Sequence, residues 1–224
     1  MSSEIGLRQA YQTVKNAYKA KQRNPVTTAS DLKFITPVVA GKTQYTFPVL
    51  VGDDPNNYPE ALLLNRADAF TAVELGLFIA KKTTTNDTQY NEYSYPNSTV
   101  FSGSGDAAAF KTLFNNSTIN VAINNVQYLQ NFSTERLRTV PITQEGLGAG
   151  AAASGGVVVS TAQDSWDLKT GYYPLVPTLQ LSGTSKIDVS LNLPQGLNAA
   201  GSGSYVIILA VRGFLSLGAS NLNK

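Results

Sequence analysis

Hydrophobic positions change their period once along this chain. Leu7, Tyr11, Val14 and Tyr18 fall at i, i+4, i+7 and i+11, with Ala10 and Ala17 beside them. That spacing gives a helix one apolar stripe. Ser2 or Ser3 caps it, Glu4 stands in the first turn, and Asn24-Pro25 ends it, because a residue before proline avoids the α region. The pattern predicts a helix over about residues 3–22.

Beyond it the period falls to two. Tyr45, Phe47 and Val49 alternate with polar or proline positions, and Pro48 marks an edge or a bulge. Apolar or alternating runs predict further strands at 61–64, 70–82, 89–95, 119–123, 128–132, 137–142, 157–161, 175–181, 187–193 and 205–214. The clearest alternation is Ile187, Val189, Leu191 and Leu193, which should all point into the core. Ala107 to Phe114 reads as one or two helical turns on a loop, and Gly146 to Gly156 as a low-complexity loop. Strands separated by turn clusters, with one helix outside them, predict an all-β antiparallel sandwich, specifically a single jelly roll with an N-terminal amphipathic helix. The expected organisation is an arm over 1–24 and one sandwich domain over 25–224.

Charge sharpens the division between arm and body. The first 24 residues carry Arg8, Lys15, Lys19, Lys21 and Arg23 against Glu4 alone, a net of +4. The whole chain is +2, so the remainder is −2. A basic helix attracts phosphates of nucleic acid or lipid, or docks its apolar stripe on a neighbour; both readings stand. Charged residues are only 14% of the chain, against about 25% in ordinary soluble domains. A surface of Asn, Thr, Ser, Gln and Gly suits burial between copies.

Composition also removes chemistry. With no histidine and no cysteine, the Ser-His-Asp and Cys-His mechanisms and zinc–thiolate sites are excluded. No catalytic residue, metal ligand or cofactor is expected. Gly148 to Ala153 mimics a GxGxxA fingerprint, but a valine strand rather than a helix follows it. Asp53 and Asp54, with Asn56 and Asn57, offer oxygen ligands for calcium, but without the spaced order of a calcium loop. Asp164 and Asp167 flank Trp166 as a carboxylate pair beside an aromatic platform. The tyrosine pairs 93/95 and 172/173 suit sheet packing. Arg136 and Arg138, if strand alternation continues through them, share a face that would bind a phosphate or a neighbouring subunit. The amino terminus shows no secretory leader and no run is long enough to span a bilayer, so a soluble protein is expected.

Taken together, the basic arm, the run KTQYTFPVL into PEALLLNRADAF and the strand YVIILAVRGFL resemble bacteriophage virion proteins, in particular the jelly-roll capsid subunits of tailless phages. The resemblance carries over no functional residue. It implies a shell subunit that is assembled in the host cytoplasm and resides in the virion. Its partners would be copies of itself and other virion proteins, with the arm toward nucleic acid or an internal lipid membrane. A tail, baseplate or capsid-decorating protein shares the same composition, and a carbohydrate-binding module is a third class.

Overall fold

A computed structural model describes residues 2–21, 24–82, 84, 86–97, 100–101, 106–139, 171–199 and 204–223. Helix α1 spans Ser2–Ala20 and α2 spans Asp106–Asn115. The described strands are β1 (Thr27–Pro37), β2 (Gln44–Phe47), β3 (Ala69–Lys81), β4 (Glu92–Tyr93), β5 (Thr118–Ile123), β6 (Val126–Ser133), β7 (Tyr172–Ser182), β8 (Ile187–Asn192) and β9 (Tyr205–Ser216).

Leaving aside the two-residue β4, the pairings nest: β1 with β9, β2 with β8, β3 with β7, β5 with β6, all antiparallel. They form one long hairpin. Rolling that hairpin brings β9 beside β3 and β8 beside β5, which yields two sheets ordered β1-β9-β3-β7 and β2-β8-β5-β6, with β4 on the far end of β3. This wrap is the jelly roll that the strand count predicted.

The core lies between the sheets. Leu32, Phe34, Leu77, Ile79, Ile207 and Leu209 meet Tyr45, Phe47, Ile119, Val121, Val189 and Leu191. Of the alternating tetrad, Val189, Leu191 and Leu193 are buried and Ile187 packs half-buried against the same cluster. Helix α2 closes one end with Phe110, Leu113 and Phe114. Its buried Asp106 accepts a hydrogen bond from Tyr205 Oη at 2.6 Å. The buried hydroxyl of Thr134 lies 2.8 to 3.2 Å from the carbonyls of Leu113, Phe114 and Ser117, tying down the helix end. At Val73 the register of β3 shifts against both neighbours, and Gly213 approaches there so closely that a Cβ would stand 1.9 Å from the Thr71 carbonyl oxygen.

Several expected elements differ. β1, an eleven-residue strand, was not predicted, because Thr27 to Ser30, Asp31 and Lys33 interrupt its apolar pattern. Residues 61–64 contribute only bridges from Leu62 to Lys33 and from Leu64 to Leu50, and 89–95 is reduced to Glu92–Tyr93. Leu137 ends a 3-10 turn over Thr134–Leu137 rather than opening a strand. Residues 140–142, the expected strand at 157–161 and the glycine-rich 146–156 lie outside the described residues. Among the described helices, none is long and apolar enough to cross a membrane.

Candidate interaction surfaces

The arm is built onto its own body. Tyr11, Val14 and Tyr18, with Ala10, pack on Ala69, Val73, Phe214 and Ala219, on the outer face of the β1-β9-β3 sheet, with the Tyr11 and Phe214 rings 5.3 Å apart. Three residues of the predicted stripe, Tyr11, Val14 and Tyr18, thus face protein, and their partner is this chain's own sheet. The side chain of Leu7 lies outside the described residues. Arg8, Lys15 and Lys19, at i, i+7 and i+11, form a single exposed row flanking the stripe. Lys15 Nζ sits 5.4 Å from the Tyr11 ring centroid. Lys21 is exposed in the turn that closes the helix, its N–H donating to the Tyr18 carbonyl. Arg23 lies outside the described residues.

Between α1 and the sheet runs a cleft of about 460 Å³ lined by Arg8, Tyr11, Asp31, Glu74, Arg212 and Phe214. Two guanidinium groups face two carboxylates there, so the cleft is no anion trap. Arg212 lies 3.7 Å from the centroid of the Tyr172 ring and 4.0 Å from Glu74. Burial pushes the Tyr172 phenol up to about 12, with Arg212 opposing the rise and Asp31 and Glu92 adding to it.

A second cluster, with no signature in the sequence, covers the other half of the same sheet face. Lys82 is buried and pairs with Glu60, a carboxylate that also accepts from Tyr90 Oη at 2.7 Å. The ammonium stands 4.7 Å from the Tyr58 ring and 4.9 Å from the Tyr90 ring. Lys33 pairs with Glu92 alongside. The second Glu60 oxygen is buried without a hydrogen-bond partner. Burial first, then the bond to Glu60, raises the Tyr90 pKa above its usual value and keeps the phenol a donor. The cluster pins two loops over Ile35, Phe78, Ala80, Val206 and Ile208.

Other expected sites come apart. The 3-10 turn breaks the alternation that would have aligned Arg136 with Arg138. Arg136 lies over the rings of Phe132 and Tyr173, 5.4 and 5.8 Å from their centroids, while Arg138 donates to the Asn115 side chain at 3.1 Å. They do not converge on one ligand. Asp54 accepts the N–H groups of Asn56 and Tyr58 as a turn brace, and Asp53 pairs with Arg66 at 3.1 Å, so both carboxylates have partners within or beside their own loop. Among the described residues no three acidic side chains group as metal ligands. Asp164, Trp166 and Asp167 lie outside the described residues. Compared with known proteins, the chain matches no family model and no curated relative.

Proposed function

We propose that the chain is a structural subunit of a virion shell, assembling with copies of itself and acting without a catalytic step. The observation that carries this reading is the outward character of the β2-β8-β5-β6 sheet. Its edge strand β6, VQYLQNFS, bears no charge and no proline, pairs only with β5 among the described residues, and exposes Val126 and Tyr128. Two other edges are blunted, β7 by Pro174 and Pro177 and β2 by its length of four residues, while β1 is covered at Lys33 by its backbone bonds to Leu62. A β6 edge left open in this way suits lateral contact between subunits. The bacteriophage provenance rests on the sequence resemblance.

The row Arg8, Lys15 and Lys19 is the contact for a polyanion. Nucleic acid fits it better than lipid, because the apolar stripe that would enter a bilayer is already buried on the sheet. Light scattering with electron microscopy of the purified protein tests the shell reading. Rings, sheets or closed particles are expected, and a monodisperse 23.9 kDa monomer at every concentration would overturn it. For the arm, Lys15→Glu with Lys19→Glu should lower the salt slope of duplex binding by about 0.9 per lost phosphate contact.

A further inference from the structure

Beside β1, on the side away from β9, lies a groove of about 570 Å³ whose lining includes Asp31, Asp54, Asp68, Val51 and Leu62, and no lysine or arginine. Its wall on one side is a strand edge that is open among the described residues. Lys33 turns its backbone N–H and C=O outward, to Leu62. In an antiparallel ladder the direction alternates residue by residue, so Asp31 and Ala29 present their N–H and C=O to that same side. The loop covers only Lys33, because at Leu64 the chain leaves β1 and bonds Val49 and Val51 instead. Val51 and Leu62 remain about half exposed at the rim.

We propose that this groove binds an extended basic peptide, which adds to β1 as a further strand. The backbone of Ala29 and Asp31 supplies the ladder bonds. Asp31, exposed at the edge, supplies the pairing charge for a lysine or arginine in the cross-strand position. The carboxylates of Asp54 and Asp68 also accept backbone N–H groups, from Asn56, Tyr58 and Gly218. The groove's own wall holds these three acids and no lysine or arginine, although Asp31 also borders Arg8 and Arg212 on the α1 side; beside an edge unpaired among the described residues and two apolar side chains, they select a strand that alternates cationic and small or β-branched residues. The proposal does not depend on the shell reading, since any protein carrying such a segment satisfies it.

The test uses the whole protein and a fluorescent, end-blocked heptapeptide of alternating Lys and Thr. Anisotropy should show saturable binding that an alternating Glu and Thr peptide lacks. Asp31→Asn should weaken binding at least tenfold. On the unaltered protein, N-methylating alternate backbone nitrogens of the Lys/Thr peptide should abolish binding, because strand addition needs those donors. Equal binding of the methylated peptide, or no binding of either, would overturn the proposal. So would a dimer seen by light scattering that the Lys/Thr peptide fails to dissociate and Asp31→Asn disrupts, since a second copy would then occupy the groove.

Discussion

The two sheets solve the same problem differently. In β5 and β8 side chains alternate between core and outside, and Asn120, Ala122, Asp188 and Ser190 are not buried. In β3 and β9 nearly every residue is buried on both faces. An antiparallel sheet needs only one dry face. The second dry face of the β1-β9-β3 sheet exists because α1 covers one half and the Lys82 cluster pins loops over the other. A sheet with two dry faces is a rigid backing, and a sheet with one is a surface to present.

If that contrast holds, the largest effect comes from breaking the cover. Lys82→Met leaves Glu60 buried and unpaired, and should destabilise the protein by about 3 to 5 kcal/mol. Adding Glu60→Leu should restore most of the loss, because an apolar pair of similar volume replaces the ion pair. Chemical denaturation of both variants checks this, and a double variant no better than the single would show that packing rather than charge holds the loops. The matching change in the other sheet is Leu191→Ala. It empties a fully buried site between the sheets and should cost about 2 to 5 kcal/mol. Amide exchange separates the two cases: the first variant loosens the loop before β3 ahead of the ladder, the second weakens β5 and β8 themselves.

The same contrast explains what the sequence discloses. The presenting sheet is legible because water on one face enforces alternation, as in Ile187, Val189, Leu191 and Leu193. The doubly buried strands read as nearly continuous apolar runs, AFTAVELGLFIA broken by Thr71 and Glu74 and YVIILAVRGFL broken by Arg212, which fix their existence without saying what covers them. β1 escapes detection because its first half is a polar edge, and its outward Lys33 and Ile35 are accommodated by the cover rather than by alternation. Among candidate sites, the basic row of α1 follows from helical spacing. The Lys82 cluster does not, because Tyr58, Glu60, Lys82 and Tyr90 meet only through tertiary folding and share no spacing. Arg136 and Arg138 share a face only if a strand continues through them, and there the chain makes a 3-10 turn.

A smaller effect probes the helical half of the cover. Val14→Ala removes two methyl groups from a site 4% exposed, at a cost of about 1 to 2 kcal/mol from roughly 0.8 per buried carbon. The loss should fall on α1 as a local unit. Hydrogen exchange is expected to accelerate across Ser2–Ala20 while β5 and β8 keep their protection. Uniform acceleration through both sheets would mean that α1 and the sandwich unfold as one body.

The finest test is electrostatic and appears only in alkali. Tyr172 sits where the cover meets the sheet, its ring 5.4 Å from that of Phe78, and burial raises its pKa from 10.0 to about 12. Between those values the unfolded chain has released this proton and the folded chain still holds it. The unfolded state therefore binds fewer protons, and stability must fall as pH rises. The contribution is fully present below pH 10 and lost as pH rises toward 12. Tyr172→Phe removes one titrating group from that window and should flatten the decline, by at most about 1.4 kcal/mol for the first pH unit above 10. Tyr90 and Tyr205 are raised as well, both chiefly by burial, so the variant should retain a shallower alkaline decline. Urea midpoints measured between pH 8 and 11 decide it: parallel curves for the variant and the unaltered protein would mean that the Tyr172 hydroxyl already reaches water, and that the cover over this end of the sheet is looser than its packing implies.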